Sequence, residues 1–335
     1  MKRYDQVLRG ASARFMILKS IAANAGYRAM DDEFLIEHHD LLMIEYRKLL
    51  KAGAPLSEMP GTSPSLLDVK IEMAERMLEN CRFCERRCGI DRFVKAGACG
   101  CDAVSHLASE FLHNGEEPDL VPSHTIFFEG CNFDCSYCQN WPIARMIRGP
   151  VADASRLAKL IELRYRQGST NVNFVGGDPT PHLATVLKVI KAMDVSLPVI
   201  WNSNMYMTPE AMKLLDGAVD LYLADFRYGD DDHARRYSGI ESYWPITTRN
   251  FLEARRQADV LVRLLVLPGH VDCCARPIMQ WCAANLGLDV RFNLMFQYHP
   301  EYRTEKFQEI ARVLTATEVA RAMELANSAG LRNLV

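Results

Sequence analysis

Between residues 125 and 295 the chain alternates short β-rich apolar runs with segments of helix length. The runs are Thr125-Ile126-Phe127-Phe128, Val172-Asn173-Phe174-Val175, Pro198-Val199-Ile200-Trp201, Val219 to Leu223, Val260 to Val266 and Val290 to Met295. Helical patterns separate them near 154–167, 181–193, 208–216, 246–257 and 272–286. Alternation of this kind implies parallel βαβ units with right-handed crossovers. Six units fall short of the eight in a complete TIM barrel. The fold class is therefore read as α/β, a partial parallel (β/α)6 TIM-like barrel. A flat doubly wound sheet has the same periodicity and stays open as the alternative.

The rest of the chain divides around this core. Residues 1–80 read as a helical extension, with helices at Phe34–Lys51 and Leu66–Leu78 and loops at Gly53-Ala54-Pro55 and Pro60-Gly61-Thr62-Ser63-Pro64. Ser63 or Ser65 is placed to cap the second helix. His38-His39 is expected on a solvated helix face. Residues 81–123 read as a small Cys-rich metal module, loop-like in its later part. Residues 124–300 form the barrel, and 301–335 a C-terminal helical segment packing on it. Net charge is −3, which argues against a general electrostatic grip on nucleic acid or anionic membrane. No apolar run reaches the ~20 residues of a membrane span, and Phe15-Met16-Ile17-Leu18 is too short for an export-signal core. The expectation is a cytoplasmic chain with neither nucleic-acid nor membrane partners.

Of eleven cysteines, eight lie between residues 81 and 138. In a reducing compartment such clustering points to metal binding or redox chemistry rather than disulfides. Directly after the first strand comes Gly130-Cys131-Asn132-Phe133-Asp134-Cys135-Ser136-Tyr137-Cys138, spaced Cys-x3-Cys-x2-Cys. Three thiolates on one loop can hold three irons of a [4Fe–4S] cube and leave the fourth open. A structural zinc site wants four ligands, and this loop offers three.

With Tyr137 just before its third cysteine, this segment resembles the cluster loop of the radical S-adenosylmethionine (radical SAM) superfamily. The resemblance implies that the open iron chelates the amino and carboxylate groups of SAM. An electron then breaks a sulfonium–carbon bond, and the resulting 5′-deoxyadenosyl radical takes hydrogen from a substrate. It places Tyr137 beside the adenine. Val175-Gly176-Gly177-Asp178-Pro179 resembles the family's Gly-Gly-Glu-Pro stretch. By that likeness Gly176, Gly177 and Asp178 take the SAM amino end, with Asp178 one methylene shorter than the family's glutamate. Two strand-end glycines also suit close approach of a ligand to the backbone. Asn202, Ser203 and Asn204 end the third strand, where the family would place SAM ribose or carboxylate contacts. Helix capping before Thr208-Pro209-Glu210 is the equal alternative. Arg263 sits inside an apolar strand and must find a carboxylate, either that of SAM or an internal acid.

Met77-Leu78-Glu79-Asn80-Cys81, Asp225-Phe226-Arg227-Tyr228, Arg236-Tyr237-Ser238-Gly239, Asn293-Leu294-Met295, Gln297-Tyr298 and Ala329-Gly330-Leu331-Arg332-Asn333-Leu334 narrow the resemblance. They are similar to the pyruvate formate-lyase-activating-enzyme-like subgroup with an extra N-terminal cysteine cluster, over about residues 65–335. Here that cluster is Cys81, Cys84, Cys88 and Cys99, with Cys101 close by. All-thiolate sites select zinc or iron–sulfur, so the second metal site is read as zinc or a further [4Fe–4S] cluster. Arg82, Arg86, Arg87 and Arg92 are near enough in sequence to offset its charge. Cys273, Cys274, Cys282, His270 and His299 are read as packing or surface residues.

The function expected is that of a radical SAM oxidoreductase acting on a polypeptide or small-molecule substrate. Its electrons would come from a donor such as flavodoxin or ferredoxin. Kinship points to installing a glycyl radical on a partner protein. The alternatives are another radical SAM modification of a peptide or small molecule, and a non-catalytic iron–sulfur or zinc scaffold.

Overall fold

A computed structural model describes residues 2–53 and 60–335. The elements run α1 (Lys2–Leu8), α2 (Arg14–Ser20), α3 (Asp32–Ala52), α4 (Leu66–Glu79), β1 (Leu107–His113), β2 (Ser123–Phe128), α5 (Trp141–Arg145), α6 (Ala154–Arg166), β3 (Asn171–Gly176) and α7 (Leu183–Ala192). They continue with β4 (Val199–Ser203), α8 (Pro209–Leu215), β5 (Leu221–Asp225), α9 (Asp231–Ser238), α10 (Tyr243–Gln257), β6 (Asp259–Leu265), α11 (Arg276–Asn285), β7 (Arg291–Met295) and α12 (Ala316–Ser328).

The strands form one seven-stranded sheet in sequence order. Strands β2 to β7 pair in parallel, and β1 pairs antiparallel with β2. Strand β1 lies in the stretch read from sequence as loop. Its segment Leu-Ala-Ser-Glu-Phe-Leu-His has no continuous apolar run, and as an edge strand it is only partly buried. At the other edge the chain's tail bonds to β7: Phe292 N–H donates to Asn333 O at 3.0 Å, and Val335 N–H to Phe292 O at 3.0 Å.

Period-two alternation sorts the side chains into two sets. Phe174, Trp201, Tyr222 and Val262 enter the main core, which the helices α4, α6, α7, α8, α10, α11 and α12 also share. Ile200, Leu221, Leu223 and Leu261 meet Tyr4 and Leu120 in a separate inner cluster. A doubly wound sheet would carry helices on both faces. Here the inner face is filled by strand side chains, one tyrosine and one loop leucine.

The N-terminal helices close the end of the sheet where strands begin. Arg3 and Tyr4 N–H both donate to Asp259 at 2.8 Å, and Asn171 donates to the Tyr4 hydroxyl at 2.8 Å. Asp220 accepts from Arg14 N–H at 3.1 Å and Val199 N–H at 3.0 Å. This leaves the C-terminal strand ends for chemistry. Asp31 caps α3 by accepting from Phe34 N–H, and Gly53 ends it in the left-handed region. Ser65 is the residue that caps α4, its N–H donating to Asp68 at 2.7 Å. The loop expected from Gly53 passes outside the described residues at Ala54.

His39 corrects the expectation of a solvated face. It is buried between α3 and α4, with Nε2 3.0 Å from the Lys70 ammonium and Nδ1 2.8 Å from Asp40. Lys70 also donates to Lys213 O at 2.9 Å, so the pair fastens the extension to α8. Burial pushes both groups down from their ordinary values, toward their neutral forms. Among the described residues, no helix is long and apolar enough to cross a membrane.

Candidate active site

Strand β2 delivers the chain to Gly130, whose φ of 92° turns it into the cysteine loop. No side chain fits there, because a Cβ would collide with the Cys101 Sγ at 2.2 Å. The loop is clamped along its length. Gly130 N–H donates to Ile143 O at 2.7 Å, Cys131 N–H to Cys99 O at 3.3 Å, and Ser136 N–H to Tyr237 O at 2.7 Å. The Ser238 hydroxyl donates to the Cys135 sulfur at 3.0 Å, and Phe133 N–H approaches the Cys131 sulfur at 3.4 Å.

Three arginines rim this loop. Arg86 donates to Asn132 O, and Arg145 to Phe133 O and Cys131 O. Arg303 pairs with the Asp134 carboxylate at 2.6 Å. Burial pushes the Cys131 thiol well up, with Asp178 and Cys135 adding to the effect. It pushes the Cys138 thiol up to about 11, with Cys135 again adding. Such thiols do not ionise without a compensating cation. Three thiols gathered on one clamped loop under a basic rim fit an iron–sulfur cluster.

Beside the loop, at the C-terminal strand ends, lies a cavity of about 310 Å³. All eight residues singled out for the cofactor line it: Tyr137, Gly176, Gly177, Asp178, Asn202, Ser203, Asn204 and Arg263. Cys138 also reaches it. A larger cleft, about 1300 Å³, lies between α3, α8 and α10 on the outer face and contains none of these residues.

The two glycines are required by close backbone approach, Gly176 to the end of β2 and Gly177 to the cluster loop. A Cβ on Gly176 would stand 2.2 Å from Phe128 O, and one on Gly177 2.2 Å from Gly130 O. Asp178 is buried and braced: it accepts from Thr180 N–H at 2.9 Å, Asn204 N–H at 2.9 Å and the Ser203 hydroxyl at 3.1 Å. Burial raises its carboxyl, and these donors oppose the rise. Ser203 and Asn204 thus serve the frame as much as the cavity, whereas Asn202 faces the cavity from the same strand.

Arg263 takes the internal acid of its two expected partners. It donates to Glu117 through Nε and Nη2, each at 2.7 Å, and to Glu116 through Nη2. Asn293 adds a bond to Glu117 at 2.8 Å. Burial would raise the Glu117 carboxyl, but Arg263 and Asn293 hold it below the usual carboxylate range. Sequence reasoning gave no role to Arg227, which also lines the cavity. Its Nη2 meets Asp225 at 2.5 Å, while its Nε is buried with no partner among the described residues. The sequence signals were its place at a strand end and in the Asp225-Phe226-Arg227-Tyr228 segment of the subgroup resemblance.

The earlier cysteines abut this loop. Cys88 and Cys99 sulfurs lie 3.5 and 3.6 Å from a single point, the place a Cβ on Gly97 would take. Arg92 is fully buried beside Cys81 and Cys99, and both thiols feel its charge. Its guanidinium donates to two backbone carbonyls, Pro181 O and Asp102 O, and Nε is unpartnered among the described residues. Cys101 sits between the two groups, near Glu129 O at 3.5 Å and His182 Nε2 at 3.8 Å.

This sheet and strand-end cavity define an α/β protein of the parallel-strand type. The model of the radical SAM superfamily matches residues 125–282. The uncharacterized protein MJ0674 of Methanocaldococcus jannaschii is 41% identical over 328 residues, 96% of this chain and 95% of its own. Among solved structures, Streptococcus suis SuiB bound to the precursor peptide SuiA is 12% identical with a TM-score of 0.46, covering 59% of this chain. The match takes in 43% of that SuiB chain, so this chain spans less than half its length. Methylornithine synthase (PylB) is 14% identical with a TM-score of 0.42, covering 99% of this chain and 84% of its own. Residues 125–282 are thus a radical SAM superfamily domain. A domain of this family implies a [4Fe–4S] cluster, SAM, a substrate and a reductant.

Proposed function

We propose that Cys131, Cys135 and Cys138 hold the [4Fe–4S] cluster and that SAM occupies the adjoining cavity. The observation that carries this is the meeting of the buried, arginine-rimmed thiol loop with a cavity lined by every cofactor candidate. When bound, the cluster supplies one electron that splits SAM into methionine and a 5′-deoxyadenosyl radical, which abstracts hydrogen from the substrate. Tyr137 flanks the adenine, and the backbone at Gly176 and Gly177 receives the amino end. Asn202 contacts the ribose. Arg227, with its free Nε, takes the carboxylate, the role first considered for Arg263. Asp178, Ser203 and Asn204 keep those groups in place.

The barrel is read as a partial (β/α)6 barrel, supported by six parallel strands with helices on one face. We assign a second metal, zinc or [4Fe–4S], to Cys81, Cys84, Cys88 and Cys99. Among the described residues Arg92 makes no ion pair, and a buried arginine needs anionic neighbours, which metal-bound thiolates supply. The reading extends to the pyruvate formate-lyase-activating-enzyme-like subgroup, with a polypeptide substrate receiving a glycyl radical in the reducing cytoplasm. A flavodoxin- or ferredoxin-type donor would supply the electron.

Anaerobic iron and sulfide analysis of wild type beside Cys131→Ala/Cys135→Ala/Cys138→Ala tests the assignment. A loss of about four irons in the triple variant is expected. Equal iron in both proteins would overturn it. Iron or zinc remaining in the variant identifies the second metal.

A further inference from the structure

We propose that His233, His270 and Cys273 form a site for a zinc-type divalent ion, separate from both cysteine groups. One nitrogen of each imidazole and the Cys273 sulfur all lie within 4.8 Å of one another, the one triad of metal-ligating side chains this close among the described residues. Cys273 Sγ is already 3.8 Å from His233 Nε2. Zinc–nitrogen bonds of about 2.0–2.1 Å and zinc–sulfur bonds of about 2.3 Å put tetrahedral donors roughly 3.3–3.6 Å apart. Small side-chain rotations close the difference.

The hydrogen bonds prepare both rings for this. His233 Nδ1 lies 2.7 and 2.8 Å from the two Asp230 carboxylate oxygens, which only accept. Nδ1 therefore carries a proton, and in the neutral ring Nε2 presents its lone pair toward Cys273. His270 Nδ1 donates in the same way to Pro268 O at 2.7 Å. A carboxylate or a carbonyl behind each imidazole is the arrangement that orients metal-binding histidines.

His270 Nε2 shares one hydroxyl proton with a carboxylate. It lies 2.9 Å from the Tyr237 hydroxyl, which also contacts Glu309 at 2.6 Å. Arg236 already pairs with that Glu309 oxygen at 2.5 Å, and when the hydroxyl proton serves Glu309 as well, a lone pair faces His270 Nε2. A proton on Nε2 would satisfy that contact alone. A metal ion would satisfy it together with His233 Nε2 and the Cys273 sulfur.

The site joins α9 to the turn between β6 and α11. Cys273 is exposed and His233 half-buried, so an ion can enter from solvent and keep an open coordination position for water or another ligand. Ser238, at the end of α9, donates to the Cys135 sulfur. The ion would therefore stiffen the helix that supports the cysteine loop.

The test uses full-length, iron-loaded protein incubated anaerobically with zinc chloride, freed of loose metal by gel filtration, and assayed for metal. Wild type should retain one more zinc per chain than His233→Gln or Cys273→Ser, with equal iron in all three. Zinc should also raise the unfolding temperature of wild type and not of Cys273→Ser. Cys273 is exposed, and the equal iron content checks that each variant is folded. Equal zinc in wild type and both variants would overturn the proposal.

Discussion

The Asn204 side-chain amide donates to Asn132 Oδ1 at 2.7 Å, tying the residue after β4 to the residue after Cys131. The bond is buried, and Asn204 Oδ1 also accepts from Tyr206 N–H at 3.1 Å. Asn204→Ala leaves both partners without it, at a cost of about 1–3 kcal/mol for each buried group stranded. The variant should fold with a lower urea midpoint. Its bound iron should be lost several-fold faster on exposure to a chelator, as followed by absorbance.

The unpartnered Nε of Arg227 makes a different prediction. Arg227→Ala should weaken SAM binding about tenfold or more, the scale of a lost charge-assisted hydrogen bond. Iron content should stay at the wild-type value. Equilibrium dialysis with labelled SAM measures the first quantity and metal analysis the second.

Arg263 and Glu117 give a pH test. Glu117 is held below its ordinary value, so its contribution is present above the unfolded value and lost as pH falls through the folded one. Arg263→Met removes the counter-charge, and burial then raises the carboxyl. That reversed contribution is present at acid pH and lost as pH rises. The stability deficit of the variant should widen between pH 5 and 7.5, reaching about 3–5 kcal/mol by urea unfolding. Adding Glu117→Gln should remove most of the pH dependence.

Much of this site was legible in the sequence because its signals are local. The cysteine spacing lies on one loop, and the six parallel strands are apolar runs that local composition exposes. What escaped depends on distant partners. The burial of His39 is set by Lys70, a residue on another helix. The role of Gly177 looked like ligand access, yet Gly130 O is what crowds it. Tyr4 fills the inner face from the first helix, a long-range contact that no periodicity encodes. Arg263 was readable as needing an acid, but Glu117 lies on a loop with no strand pattern to place it there.

Arg92 tests the second metal. With the catalytic thiols replaced by alanine, Arg92→Met should lower the metal that remains by at least half. The thiolates would lose their buried counter-charge. Metal analysis of the two proteins, purified side by side, gives the answer.

The central claim is that these strand ends bring SAM to a reducible cluster on Cys131, Cys135 and Cys138. The most direct measurement is 5′-deoxyadenosine formed by dithionite-reduced, iron-loaded protein under strict anaerobiosis, compared with Cys135→Ala. The account predicts SAM-dependent 5′-deoxyadenosine from wild type and none above background from the variant. Wild-type protein carrying a full complement of iron, yet yielding no 5′-deoxyadenosine, would contradict it.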